Sequence, residues 1–467
     1  MGMDNKIFTD NKIGRVLLKF AIPAIISLLV SELYNMVDTV FVGRYIGPNA
    51  IAALTVAFPV QRFIIALGLL IAVGASTFVA RSLGEQNKKS LVKTIMNALT
   101  MTFVILVFIS LSVFIFKKPI ITALGASSVI YPLSNKYVSI ILIGGIFQCL
   151  GVVACYIMTA LGNTKITLYS NSIGAITNII IDFFLVAILG WGVSGAAIAT
   201  VFSQIVAFIF AMIEFRKVKK SFEIEFTLPM FYRSLNYKII FGIIAVGFST
   251  FIIEISDAVV AIILNNLLSS IGGDTAIVII GAVTRVSMFM FITIIGISSA
   301  MQPIVAYNYG SENYTKMKKT LKLSILTVTL ASIGFWIILM VFTKPIIGFF
   351  LKDTLILSKA IQAFRICISV LPAVGLYYIV IYYYQAIGEA KKSFLLSIYR
   401  QMLVFIPLVF IMTNFFGVMG AWLSFPISDM ISAITSLFFM KKAFSQKFEK
   451  EYRYSDKNNY RKECIKA

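Results

Sequence analysis

A helix that crosses a bilayer must satisfy every backbone N–H and C=O within itself and present about 20 mostly apolar residues to the hydrocarbon. Read between its charged and Gly/Pro-rich breaks, this 467-residue chain offers twelve such runs, roughly 19–41, 51–80, 94–116, 137–160, 166–189, 193–215, 239–268, 276–307, 323–343, 360–387, 394–415 and 418–440. The expectation is an all-α membrane protein with twelve transmembrane helices. Hydrophobic residues are 59% of the chain and charged residues 13%, against about 45–50% and 25% in a soluble domain. That excludes a water-soluble enzyme. The first run reads as a span and not as a cleavable signal, because acids and bases precede it and it contains Glu32 and Asp38.

The formal charge is +21, from 41 Lys and Arg against 20 Asp and Glu. With the N-terminus placed inside, the inner segments hold 29 Lys and Arg, and the outer loops hold seven: Arg44, Lys117, Lys118, Lys136, Lys344, Lys352 and Lys359. That bias predicts both termini on the cytoplasmic side. It also accounts for the basic balance without a nucleic-acid partner. The stretch 441–467 is charged and polar, and is expected to be a surface helix or a disordered end near anionic lipid. The chain has no histidine, which removes imidazole metal ligands, general bases and pH switches. The four cysteines, Cys149, Cys155, Cys367 and Cys464, contain no CxxC pair and suggest neither disulfides nor zinc.

The chain repeats itself. Phe116-Lys117-Lys118-Pro119-Ile120 matches Phe342-Thr343-Lys344-Pro345-Ile346 at a shift of 226. Gly84-Glu85-Gln86-Asn87 matches Gly310-Ser311-Glu312-Asn313 at the same shift, and so does the pair starting at Ala160 and Ala386. Gly192-Val193-Ser194-Gly195-Ala196 matches Gly417-Val418-Met419-Gly420-Ala421 at 225. Four matches in order indicate a tandem duplication of six spans. An even span number gives both copies the same topology, so they should form two pseudo-symmetric six-helix bundles about an axis along the membrane normal, with a cavity between them. The expected layout is 1–220 for the first bundle, 221–238 for a cytoplasmic linker, 239–440 for the second bundle and 441–467 for the tail. Two such bundles can rock against each other, which supplies alternating access.

A charge at mid-bilayer costs about 2.5–3.5 kcal/mol on insertion scales, so it persists where it faces protein, water or an ion. Six acids lie in the runs: Glu32, Asp38, Asp182, Glu254, Asp257 and Asp429. The basic residues there are Arg62, Arg285, Arg365 and Arg400, read as lying mostly near span ends. In the first span, Tyr34 and Asn35 share the helical face of Asp38, whereas Glu32 faces elsewhere and Pro23 makes a bend expected. In the fifth span Asn178 and Asp182 are one turn apart, and the sixth carries Thr200. Asp38, Asn178, Asp182 and Thr200 together would suit a small hard cation. Two carboxylates in one dry pocket could instead share a proton. Asp182 could also serve only as a helix–helix hydrogen bond, and Asn178 and Thr200 as packing glue.

The second copy does not reproduce this set, since Leu264 stands opposite Asp38 and Leu408 opposite Asp182. Its Glu254 and Asp257 share a face, and could attract a cationic substrate or pair with an arginine such as Arg400. The tenth span carries Tyr377, Tyr378, Tyr382, Tyr383 and Tyr384, and the eighth carries Met288 and Met290. Such side chains can hold organic cations, but 20 Tyr and 40 Phe spread over the chain favour an aromatic belt with lipid-facing filler. No Walker A, GxSxG or HExxH pattern is present, so energy must come from an ion gradient or an external partner.

The stretch Leu33-Tyr34-Asn35-Met36-Val37-Asp38-Thr39-Val40-Phe41-Val42-Gly43, the Asn178/Asp182 pair followed by Gly195-Ala196-Ala197, and Arg400-Gln401 before Ile406-Pro407 resemble the multidrug and toxic compound extrusion (MATE) family over about 10–450. Within the family it resembles the bacterial branch containing MepA and DinF. The resemblance implies a multi-pass protein of the bacterial cytoplasmic membrane. It also implies export of organic, often cationic, compounds by antiport with Na⁺ or H⁺, no cofactor, a monomer and no enzyme activity. It carries the ion-coupling role onto Asp38, Asn178, Asp182 and Thr200, with Asp38 and Asp182 as the Na⁺ ligands if Na⁺ drives transport. Substrate contacts are expected from Glu32, Tyr34, Asn35, Glu254, Asp257, Met288, Tyr378 and Asp429. Other branches place a cation site in the second bundle through a span-seven Glu and a span-ten Asp; Glu254 answers to the first, and the tenth span offers no Asp. A lipid-linked sugar flippase of the wider superfamily is the alternative and would need a strongly basic cavity. An intramembrane enzyme is a third reading, limited to aspartyl chemistry by the missing histidine.

Overall fold

The computed structural model describes residues 6–222, 235–351 and 354–464. The expected linker 221–238 lies mostly outside the described residues, and the backbone of 441–464 continues the last helix, Val418–Cys464. The described residues are helical, with no strand among them.

A short turn of helix, Lys6–Thr9, precedes the first six spans: Ile13–Tyr45, Pro48–Gly84, Lys88–Ile115, Tyr131–Ala160, Ile166–Asp182 continued by a π-helical segment Phe183–Ile188, and Gly192–Ser221. The next helix, Tyr237–Gly310, has 74 residues. At 1.5 Å per residue it would be about 111 Å long, several times a bilayer core of about 30 Å. Gly273, at φ +61°, breaks it into spans seven and eight. Tyr314–Val341 is the ninth span. The tenth is bent by 45° where Thr354–Cys367 meets Leu371–Ala386, just ahead of Pro372. The eleventh runs Ala390–Ile398, a π-helical Tyr399–Phe405, then Ile406–Phe416, and Val418 begins the twelfth. The first span stays one helix across Pro23.

The duplication is written into the backbone. Asn87 and Asn313 each cap the next helix by accepting an N–H at 3.0 Å, from Ser90 and Lys316. Gln86 and Glu312, non-glycine residues 226 apart, both take positive φ, 54° and 56°. Gly273 has its counterpart in Gly47, also at positive φ and followed by Pro48 at the start of a helix. The repeated Lys-Pro motif forms a short helix in each copy, Lys117–Ala123 and Thr343–Phe350, capped by Phe116 at φ −96°, ψ 18° and Phe342 at φ −95°, ψ 20°.

The halves meet where spans one and two pack against spans seven and eight. A Cβ on Gly84 would lie 2.1 Å from the Tyr307 carbonyl oxygen, and one on Gly310 would lie 2.2 Å from that of Arg81. Arg81 and Tyr307 are themselves 226 apart, so this is a self-complementary contact of the kind a two-fold axis produces. Around it Phe8 stacks on Tyr307 at 4.6 Å, Arg81 lies over Tyr309 at 4.9 Å, and Lys316 Nζ donates to the Phe8 carbonyl. Deeper in, Gly74 and Gly247 admit the backbones of Ile243 and Leu70. Gln302 then donates across to Thr77 at 3.0 Å, and within the second half Gln385 donates to Thr250 at 3.0 Å. The described contacts between the halves occupy the part of each span toward Gly84 and Gly310, up to the level of Arg62 and Glu254. The halves are therefore closed at the end carrying the 85–87 and 311–313 turns, with a cavity beyond.

Candidate ion and substrate sites

The first half assembles the polar cluster expected from the sequence. Asp38 is 8% exposed, Thr200 1%, and Asn178 and Asp182 are fully buried. The carboxyls of Asp38 and Asp182 lie beside each other, with Asn178 beside Asp182. Thr200 donates to the Ala196 carbonyl at 3.0 Å, so toward its other neighbours its hydroxyl oxygen acts as an acceptor. Asp38 Oδ1, both oxygens of Asp182 and both polar atoms of Asn178 are buried without a hydrogen-bond partner. Buried polar groups are ordinarily satisfied, and an orphaned set calls for an unseen partner such as an ion. Two carboxylates cannot donate to each other. Either a cation sits among these oxygens or one acid carries a proton. The donor set, carboxylate, amide and hydroxyl oxygens, fits a small hard cation. The segment that positions Asp182 turns π-helical directly after it, a local widening that π-turns bring to functional positions.

Tyr137, from the fourth span, is 3% exposed and stands with Tyr34 beside Thr200. Sequence reasoning passed over it. One Tyr among twenty carries no signal until its helix is seen to face this cluster.

A cavity of about 770 Å³ lies between the halves. Glu32, Tyr34, Asn35, Glu254, Asp257, Met288, Tyr378 and Asp429 are all on its wall. Asp38, Asn178, Asp182 and Thr200 are not among its lining residues. Tyr34, Asn35, Ser203 and Gln204 separate the cluster from the cavity.

The arginines differ from expectation. Arg62 and Arg400 both line the cavity and do not sit near span ends. Arg62 reaches Glu32 at 3.6 Å and Glu254 at 3.9 Å, tying the halves together across the cavity. Arg400 binds Asp429 through two nitrogens at 3.0 Å and stacks over Phe291 at 5.4 Å. Asp257 takes the amide of Gln401. Thus Arg400 pairs with Asp429 and Arg62 with Glu254. Arg400 lies in the second π-helical segment, ahead of Pro407. Proline supplies no N–H and crowds the carbonyl four residues back, which loosens the helix here. The Arg400 carbonyl accepts from Ser428 and its N–H donates to the Tyr377 hydroxyl.

The tenth-span tyrosines also correct the sequence reading. Tyr377, Tyr378, Tyr382, Tyr383 and Tyr384 are all buried, none above 6% exposed. They do not form a belt at the lipid. Tyr378 and Tyr382 face the cavity, and Tyr384 donates to the Phe439 carbonyl at 2.8 Å.

The family model MatE matches residues 23–184 and again 239–411. The multidrug export protein MepA of Staphylococcus saprophyticus is 26% identical over 433 residues, covering 92% of this chain and 94% of MepA. An FAD transporter of Shewanella oneidensis is 26% identical over 443 residues, covering 92% and 95%. An outward-facing structure of a multidrug resistance MATE family transporter superposes with a TM-score of 0.89 at 24% identity, covering 96% of this chain and 99% of that one. A MOP superfamily transporter from Pyrococcus furiosus, described as having a binding pocket of reversed polarity, gives 0.88 at 23% identity, covering 95% and 99%. At these identities the structural likeness establishes the fold alone.

Proposed function

The chain belongs to the MatE family, a family of multi-pass membrane transporters, and from that premise we propose that it exports organic, often cationic, compounds across the bacterial cytoplasmic membrane by antiport with Na⁺ or H⁺. The observation that carries this reading is the pair Asp38 and Asp182, buried side by side with orphaned oxygens, behind the wall of a large cavity. Both termini lie in the cytoplasm on this reading, which makes the closed end cytoplasmic and the cavity outward-facing. The bundles 1–220 and 239–440 are the moving bodies, and the protein works as a monomer without a cofactor.

An ion entering from outside occupies the Asp38 cluster, with Asn178 and Thr200 supplying neutral oxygens. It removes the repulsion between two carboxylates and changes how spans one and five pack. Drug in the cavity, held against Glu32, Tyr34, Asn35, Glu254, Asp257, Met288, Tyr378 and Asp429, is released outward. The inward-open form then loses the ion and accepts new drug. Coupling requires the ion and the drug to bind the two states with different affinity.

Four carboxylates against two paired arginines on the cavity wall argue against a flippase for lipid-linked pyrophosphates. They argue equally against a dinucleotide such as that named for the Shewanella relative. An aspartyl enzyme is disfavoured because Asp38 and Asp182 do not line the cavity, and the two aspartates that do are held by Arg400 and Gln401. Proteoliposomes with Na⁺ and pH gradients imposed separately test the proposal. One gradient should drive dye export in the wild type, and neither should in Asp38→Asn. Export by Asp38→Asn at the wild-type rate would refute the scheme.

A further inference from the structure

The four carboxylates on the cavity wall are separated by their partners. Glu32 and Glu254 share Arg62 at 3.6 and 3.9 Å. Asp429 is held by two nitrogens of Arg400 at 3.0 Å. Asp257 is bonded instead to an uncharged group, the Gln401 amide, which donates from Nε2 to Oδ1. A carboxylate only accepts, so it dictates which end of the amide faces it. The Gln401 carbonyl oxygen is thereby left over. It is buried with no hydrogen-bond partner, on a side chain 9% exposed that lines the cavity. Such an acceptor costs free energy until a donor reaches it.

We propose that Asp257 and Gln401 form the point at which the cavity reads N–H groups, so that it prefers protonated amines, amidines and guanidines to quaternary ammonium ions of equal size. This deepens the reading of the chain as an exporter of organic cations and rests on it. A protonated amine brings charge for the carboxylate and a donor for the orphaned Gln401 oxygen. A quaternary ammonium brings the charge alone and leaves that oxygen unpaired. The neighbouring wall does not discriminate between the two. Phe291 and Tyr378 meet edge to face at 6.2 Å, and with Met288 they offer apolar and aromatic surface to either body. A site built to hydrogen-bond a group rejects the analogue lacking it far more strongly than an apolar wall can.

The test is equilibrium binding to the purified full-length protein with a matched pair of probes, a dye bearing one primary amine and the same dye as its trimethylammonium derivative. Wild type should bind the amine about tenfold more tightly, the effect of a single well-placed hydrogen bond to a charged donor. Gln401→Leu should bring the ratio to within about twofold, and Asp257→Asn, which keeps the side-chain shape, should also collapse it. Equal affinities in the wild type, or a ratio unchanged in both variants, would overturn the proposal. Gradient-driven efflux of the same two dyes tests the underlying reading separately. Selective binding without any gradient-driven export would support the N–H preference and remove the exporter.

Discussion

In the first half of the molecule Asp38, Asn178 and Asp182 are buried with atoms that no protein group satisfies. In the second half the corresponding positions, 226 residues on, are Leu264, Val404 and Leu408. The second half instead buries Asp429, whose Oδ1 is held by two nitrogens of Arg400. Yet the turns of the two halves agree closely, down to the positive φ of Gln86 and Glu312 and the caps at Phe116 and Phe342. Duplication copied the backbone, which is held by caps, glycines and prolines at the span ends. The polar groups inside the bundles diverged freely around it. An orphaned carboxylate pair is able to exchange its occupant, whereas a carboxylate locked to a guanidinium acts as a strut. On the proposed reading the first half therefore couples the ion, while both halves build the cavity wall.

The strongest way to break this contrast is to neutralise one acid in each half. Asp182→Asn should abolish gradient-driven efflux in proteoliposomes, while the protein still inserts and binds dye. Glu254→Gln, which leaves Arg62 its contact with Glu32, should lower efflux only a few-fold. Equal losses in the two variants would mean that both halves couple. The next effect is on stability. Asp429→Leu strands Arg400 in a buried site, and should cost about 3–5 kcal/mol in thermal unfolding of the detergent-solubilised protein. Arg400→Met added to it should recover most of that loss. Asp38→Leu, which removes half of an unsatisfied like-charged pair, should not destabilise.

Smaller effects sharpen the symmetry itself. Gly84→Ala and Gly310→Ala each drive a Cβ into a backbone carbonyl of the other half, and should destabilise the closed end by about 1–3 kcal/mol apiece. The two should be nearly equal, read as increased labelling of cysteines placed at that end. Asn87→Ala and Asn313→Ala each remove one helix cap and should cost about 1 kcal/mol in unfolding. A marked inequality within either pair would show that the halves bear different loads at that end.

Much of this was legible in the residues alone. Span number follows from runs of about 20 apolar residues, because hydrocarbon solvates each helix separately and the signal is local. The duplication showed in loop motifs for the same reason: Gly84, Asn87, Gly192 and Lys117-Lys118-Pro119 specify local turns. The in-membrane acids stood out because a charge in hydrocarbon needs a cause. Which partner each acid meets was decided only by the tertiary structure. Whether Arg400 takes Asp429 or Asp257, whether Arg62 crosses between the halves, that five tyrosines turn inward, and that Tyr137 joins the first-half cluster all depend on how each helix is rotated against its neighbours. That rotation is set by side chains of other helices, often hundreds of residues away, and no periodicity within a single span encodes it.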